Sequence, residues 1–239
     1  MNRLHDTDMI ERYTSGSDPV LSVVIPTIPS SSHQSVVSKL KKQNADFDYE
    51  VIVINDSELD ICEARNQGIK NAKAEIVALT DDDCLPPLNW LKSIYSTYCD
   101  SESRLSCVEG TVTGGLNYSG TRHYVGCNLT FMRSEALKIG GFSSEFAGYR
   151  DDTEFGWRME KESEGKCIFE DSIQMVHPDR PRSNYNRELD DKLEENYPER
   201  YNSIFMSDMR ERIYLKLSRI GITGKINELY NNIVGVKSE

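Results

Sequence analysis

Two acidic clusters hold most of the chemistry this sequence can do. Asp81-Asp82-Asp83 follows the apolar run Ile76-Val77-Ala78-Leu79 and precedes Pro86-Pro87. The run has a strand's length, and the prolines stop it without an immediate helix. Adjacent carboxylates repel one another unless water or a cation neutralises them. For a lone triplet, a solvated acidic turn and a cation site weigh about equally. The second cluster is Asp151-Asp152, which follows a loop containing Gly148 and opens a helical pattern over 153–162. Asp151 with Glu154 fits an Asp variant of the capping box, so capping alone accounts for Asp151. It leaves Asp152 unexplained. A carboxylate in the first helical turn is held ionised by the macrodipole, and at a cleft edge it can take a proton from a hydroxyl. His177, ahead of Pro178, is by itself more often a hydrogen-bonded structural residue than a ligand.

The elements around these residues must bring them together. LSVVIPT at 21–27 and YEVIVI at 49–54 are near-continuous apolar strands, and 76–79 is a third. Helical patterns lie between them, over 34–43 with Ser30 to Ser32 available as caps, and over 61–73 with Arg65 and Asn66. Strand–helix–strand–helix–strand with such strands predicts an α/β fold with right-handed crossovers and a mostly parallel sheet, helices on both faces. Ligands in such sheets bind beyond the carboxyl ends of the strands. Thr27, Asp56 and the Asp81-Asp82-Asp83 turn then share one rim, and three polar strand ends on one rim make a site.

Further along, 90–98 reads as a helix, 105–113 and 123–132 as strands, and SEALKI after Ser134 as a short helix. Residues 166–170 and 174–176 read as two short strands. Residues 1–18 read as a polar arm, 19–180 as the α/β domain, and 181–239 as a helical C-terminal annex. Amphipathic stretches in that annex cover 209–217 and 226–234, with Ile204, Phe205, Ile213, Leu217 and Ile220 expected to pack on the core or on a partner.

Composition narrows the function classes. The 239 residues are acidic, with 39 Asp+Glu against 28 Lys+Arg and a net charge of −11. That argues against general nucleic-acid binding through a basic surface and against a polybasic membrane patch, and leaves a local basic groove open. No apolar run approaches the ~20 residues that span a bilayer, and the N-terminal stretch lacks a signal-peptide apolar region. A cytoplasmic protein is expected, with peripheral membrane association left open. The six cysteines form no CxxC pair and match no familiar zinc spacing, so reduced structural thiols are expected.

Four separated features occur in the order shown by the family-2 inverting glycosyltransferases of the Rossmann-like GT-A fold. LSVVIPT resembles their first strand, and VIVINDS their base-binding strand end, with Asn55 and Ser57 departing from the usual pattern. ALTDDDCLPPLNWL resembles their metal-binding turn, and GGF…YRDDTEFGWR their acceptor-side segment, with Asp151 in place of a Glu. The resemblance covers about 19–178. It implies transfer from a nucleotide-diphosphate sugar, uracil being the commonest base, to a glycan or lipid-linked sugar acceptor in glycan, surface polysaccharide or glycoprotein synthesis. It implies Thr27 and Asp56 at the base, Arg65 at the base or diphosphate, and Asp81 at the ribose. Asp82 would hold a Mg²⁺ or Mn²⁺ ion, with Asp83 sharing that work because the register is open by one. Asp152 would be the catalytic base beside Asp151, and His177 a further metal or phosphate contact. Two other classes share parts of this pattern: a non-catalytic sugar-nucleotide-binding module and a Mg²⁺-dependent phosphohydrolase. The first would tolerate loss of Asp152, and the second would need a partner Lys and Thr/Ser arrangement that is missing here.

Overall fold

The computed structural model describes residues 2–7, 9–115, 117–178, 185–207 and 209–220. Where a polar arm is expected, β1 (Asn2–Thr7) and β2 (Ile10–Thr14) form an antiparallel hairpin. After it come β3 (Leu21–Thr27), α1 (Gln34–Leu40), β4 (Tyr49–Asn55), α2 (Ile61–Asn71) and β5 (Ile76–Leu79), alternating as the apolar pattern predicts. Then follow α3 (Trp90–Asp100), β6 (Leu105–Gly114), β7 (Leu129–Met132), α4 (Arg133–Lys138), α5 (Asp151–Glu162) and β8 (Lys166–His177). These strands make one eight-stranded sheet in the order β1-β2-β4-β3-β5-β7-β6-β8. The α/β class expected from the sequence is what the chain adopts.

The parallel part is β4-β3-β5, built by the two crossovers, and β6 also pairs parallel with β8. The other pairings are antiparallel, so the sheet is mixed. Every residue of β3 is buried, which is why its sequence runs apolar without alternation. Helix α2 starts on a capping box between Asp60 and Glu63. It lies tight on β3 at Gly68, where a Cβ would come 2.2 Å from Val24 Cγ1.

Several boundaries differ from expectation, each for a local reason. Ser30 to Ser32 do not cap α1, whose N-cap is His33 without a side-chain bond. Helix α4 starts at Arg133, ahead of Ser134, and the Ser134 side chain goes to Glu75 instead. The expected strand over 123–132 begins only at Leu129, after a single 3-10 turn at Gly126–Asn128. Asn128 makes that turn: fully buried, it accepts from Trp90 Nε1 at 2.8 Å and donates to the Thr111 and Ile173 carbonyls at 2.9 Å. The two short strands after Lys166 are one strand, β8, with a register irregularity opposite Gly110 and Thr111.

By internal contacts the chain divides into two units, Met1–Asp179 and Arg180–Glu239. The second contains α6 (Arg187–Asn196), α7 (Pro198–Tyr201), a π-helical turn at Asn202–Met206 and α8 (Met209–Arg219). Its fully buried Asp190 accepts from Tyr201 at 2.5 Å and Tyr185 at 3.2 Å, and Phe205 meets the Tyr201 ring edge to face at 5.0 Å. Phe205 is buried as expected, but Ile213 and Ile220 are 50% and 66% exposed. The stretch 226–234 lies outside the described residues. No helix among the described residues is long and apolar enough to cross a membrane.

The hairpin is tied to the sheet by charge. Arg12 on β2, 4% exposed, is ion-paired with Glu50 on β4, 1% exposed. Glu50 also accepts from Ser22 at 2.6 Å and from the Lys73 backbone N–H at 2.7 Å. Removing one partner of a buried pair leaves an uncompensated charge. Arg12→Ala should therefore lower stability in urea unfolding by about 3–5 kcal/mol. A loss below about 1 kcal/mol would mean the hairpin is not part of the cooperative fold.

Candidate active site

The carboxyl ends of β3, β4 and β5 lie side by side, and their polar residues touch. Thr27 donates from Oγ1 to Asp82 Oδ2 at 2.6 Å, and the Asp56 N–H donates to the Thr27 carbonyl at 3.3 Å. Asp56 folds back on its own turn, accepting from the Glu58 N–H at 2.9 Å. Thr27, Asp56 and Asp82 are all at least nine-tenths buried. Asp82 therefore belongs with Thr27 and Asp56.

Asp81 faces the other way. Its Oδ2 lies 3.9 Å from His177 Nε2 and its Oδ1 lies 4.0 Å from an Arg65 nitrogen. His177 ends β8, and its Nδ1 is 2.6 Å from the Pro178 carbonyl oxygen. A carbonyl only accepts, so Nδ1 carries the proton and Nε2 is the ring nitrogen turned toward Asp81. A carboxylate oxygen and a ring nitrogen at this separation leave room for a cation between them. Asp81, Cys84, Cys127 and His177 have ligand atoms all within 4.8 Å of one another. This donor set of oxygen, nitrogen and sulfur fits a divalent cation, but it is a poor match to Mg²⁺, which asks for oxygens. Of the three residues expected to hold metal, only His177 is in this group. Asp82 points to Thr27, and Asp83 lies against Cys84 at 3.9 Å. The two thiols were missed because Cys127 is 43 positions from Cys84, although the Asp81-x-x-Cys84 spacing was there to see.

Arg65 joins this group to the second acidic cluster. Buried on α2, it pairs with Asp151 at 3.0 Å and lies 5.1 Å over the Phe142 ring. Its Nε has no hydrogen-bond partner among the described residues. Gly126 makes room, since a Cβ there would sit 2.6 Å from an Arg65 nitrogen. The capping role expected of Asp151 is not what the structure shows. Asp151 is already helical, the N-cap is Arg150 in a left-handed conformation, and Glu154 is taken by Arg158 at 2.8 Å.

Asp152 is held from both sides. Its Oδ2 accepts from the Gly126 N–H at 2.8 Å and its Oδ1 from the Thr153 N–H at 2.7 Å. Burial, and then the neighbouring Asp151 charge, push its carboxyl up to about 6, against the pull of Arg65 and the two N–H donors. The loop that supplies Gly126 is itself strained, with Arg122 and Tyr124 at φ 57° and 54°. Glu109 on β6 holds it, accepting from the Arg122 and Tyr124 N–H groups at 2.9 and 3.0 Å. Arg150, at φ 55°, is the other non-glycine left-handed residue among those described, so all such strain flanks Asp152. A carboxylate raised toward neutrality and held by backbone donors has the chemistry to accept a proton.

Comparisons with known proteins bear on the family and the fold. Residues 34–154 match the family described as Glycosyl transferase family 2. A glucosyl-dolichyl phosphate glucuronosyltransferase of Haloferax volcanii is 24% identical over 170 residues, which are 58% of this chain and 54% of that protein. The chain thus spans about half the length of this curated relative. Among solved structures, S. aureus TarS 1-349 superposes with a TM-score of 0.57 at 12% identity, over 79% of this chain and 73% of that one. Its complex with UDP-GlcNAc gives 0.56 at 13%, over 77% and 72%. At these identities the likeness is one of fold.

The electrostatic link can be tested directly. Arg65 lowers the titration of Asp152, so Arg65→Met should move it above 6, as read by carboxylate NMR. The variant also leaves Asp151 buried without its cation, which should cost about 3–5 kcal/mol near pH 8. A carboxyl raised in the folded state destabilises as pH rises, so that deficit should shrink toward pH ~4. An unmoved Asp152 titration would show that the two clusters are not coupled.

Proposed function

The chain belongs to glycosyl transferase family 2, and from that premise we propose that it moves a sugar from a nucleoside-diphosphate sugar to an acceptor hydroxyl with inversion at the anomeric carbon. The observation that carries the reading is the pairing, across Arg65, of a cation-fitting group with a carboxylate that titrates near neutrality. A displacement of this kind needs one group where the leaving diphosphate gathers charge and another where the hydroxyl loses its proton.

In this reading Thr27, Asp56 and Asp82 line the nucleoside. Asp81 and His177 are the holders of a divalent cation, a transition-metal ion such as Mn²⁺ suiting the imidazole better than Mg²⁺. Asp81 and Asp82 thereby exchange the roles that the family resemblance implied, for Asp82 already serves Thr27. Bound there, the cation would neutralise charge on the departing diphosphate. Arg65, whose buried Nε–H has no partner among the described residues, has a donor left for the same oxygens. Asp152 takes the proton of the acceptor hydroxyl, while Asp151 and Arg65 set its basicity. A single base acting opposite the leaving group means one displacement, hence inversion.

The UDP-GlcNAc complex of the structural neighbour supports a UDP-sugar as donor. The glucosyl-dolichyl phosphate on which the Haloferax volcanii relative acts supports a lipid-linked sugar as acceptor, in glycan or surface polysaccharide assembly. The rival binding-module reading predicts no turnover at all.

A panel of nucleotide sugars, screened by protection against thermal unfolding with Mn²⁺ present, identifies the donor without knowledge of the acceptor. With that donor, Asp152→Asn should bind within a few-fold of wild type while kcat falls by roughly 10²–10⁴. Wild-type kcat/KM should fall as pH drops through about 6, because Asp152 must be ionised to act. Full turnover by Asp152→Asn, or a flat profile across that window, would remove Asp152 from the mechanism.

A further inference from the structure

Two of the six cysteines face each other across the sheet and belong to neither acidic cluster. Cys107 on β6 is registered directly opposite Cys167 on β8, and β8 is the last strand in the sheet order. The register slips just before this pair, between Leu105 and Cys107. Neighbouring strands run ~4.8 Å apart, and a disulfide accepts a Cα separation of ~4.4–6.8 Å. The two thiols already hydrogen-bond each other. Joining the sulfurs therefore asks for side-chain rotation rather than for movement of a strand.

The two thiols are unlike. Cys107 is fully buried and Cys167 half-buried. Burial, and then the bond to Cys167, push the Cys107 thiol well above the usual range. The same bond, in which Cys107 donates, holds the Cys167 thiol down against burial and the nearby Glu160 carboxylate. One partner is reachable and inclined to the thiolate, and the other is hidden and keeps its proton. The remaining cysteines lack this combination. Cys84 and Cys127 also hydrogen-bond, but at 0% and 1% exposed neither is open to solvent. Cys99 is exposed and bonds Tyr95 rather than a thiol.

We propose that Cys167 is a site of oxidation by peroxide, that Cys107 is its resolving thiol, and that the product is a disulfide joining β6 to β8. The Cys167 thiolate attacks one oxygen of hydrogen peroxide, the O–O bond breaks, and hydroxide leaves a sulfenic acid on Cys167. The Cys107 sulfur then attacks the Cys167 sulfur, the S–O bond breaks, and the Cys107 proton departs with that oxygen as water. The hydroxide takes up the proton that Cys167 had released, so two thiols and one peroxide give one disulfide and two waters. The peroxide accepts both electrons. A small thiol reductant reverses the change by exchange. Space-filling by a small hydrophobe accounts for buried Cys107, but not for a half-buried Cys167 whose thiol is held down. The bond fastens an edge strand, β8, which ends at His177, to the strand whose Glu109 grips the 122–126 loop. The site is independent of the proposed transfer chemistry, because oxidation needs neither donor nor acceptor sugar.

The test uses the whole protein, reduced and then freed of reductant, with hydrogen peroxide as the probe. Free thiols should fall from six to four, peptide mapping should find Cys107 linked to Cys167, and dithiothreitol should restore all six. The linked form should melt higher than the reduced one by on the order of 5 °C, because the bond constrains the unfolded chain. These readouts need no mutation. In Cys107→Ser the sulfenic acid on Cys167 has no resolving thiol, so a dimedone adduct should accumulate there at least ~5-fold faster than at exposed Cys99. In Cys167→Ser, peroxide should leave Cys107 a thiol. Survival of all six thiols in the wild type, a link through any other cysteine, or a linked form that melts below the reduced protein would overturn the proposal. So would Cys99 reacting ahead of Cys167 in a folded Cys107→Ser variant.

Discussion

A buried guanidinium is the constraint on which the rest of this site depends. Arg65 is 6% exposed, and a charge taken that far out of water is tolerable only with opposite charge at hand. Asp151 and Asp81 supply it from two directions. The dependence is mutual, because Asp81, Asp151 and Asp152 could not be gathered into one region without a cation among them. The end of β5 and the start of α5 are thereby brought within the span of one side chain. Residues 70 positions apart in sequence become one electrostatic unit.

That unit is supported by strain. The three left-handed non-glycine residues among those described, Arg122, Tyr124 and Arg150, flank Asp152 on both of the segments that hold it. Such conformations cost on the order of 1–3 kcal/mol each and persist only where the surroundings over-determine them. Here Glu109 grips the 122–126 loop through backbone donors, and Trp157 Nε1 donates to the Arg122 carbonyl at 2.9 Å. Burial pushes the Glu109 carboxyl up, while the donors of the loop draw it down. The result is a rigid backbone N–H from Gly126 aimed at Asp152, which fixes the carboxylate without relying on a mobile side chain.

The mixed character of the sheet serves the same end. The parallel strands β4, β3 and β5 set Thr27, Asp56 and the acidic turn on one rim. Antiparallel β7 then brings in the 3-10 turn with Cys127, and β8, parallel to β6, delivers His177 at its end. Strand direction thus decides which residues reach the rim. A purely parallel continuation would not have returned the chain through Gly126–Asn128 beside β5.

The strand–helix alternation and the shared rim of Thr27, Asp56 and the acidic turn were legible in the sequence. Continuous apolar strands can only be strands covered on both faces, and short crossovers in such sheets have one handedness. The family order of motifs added the kind of chemistry, and the match over residues 34–154 agrees with it. Three things were decided only in space. The hairpin of residues 2–14 reads as polar because it carries charges such as Glu11 and Arg12, and the burial of Arg12 depends on its finding Glu50 across the strands. Asp151 reads as a cap because local spacing cannot see Arg65, 86 positions away, which claims it instead. Within the Asp81-Asp82-Asp83 triplet, composition cannot assign partners, for the turn after β5 points each carboxylate differently. Thr27 takes Asp82 and leaves Asp81 to His177, and that choice belongs to the turn's backbone and to the strands that meet it.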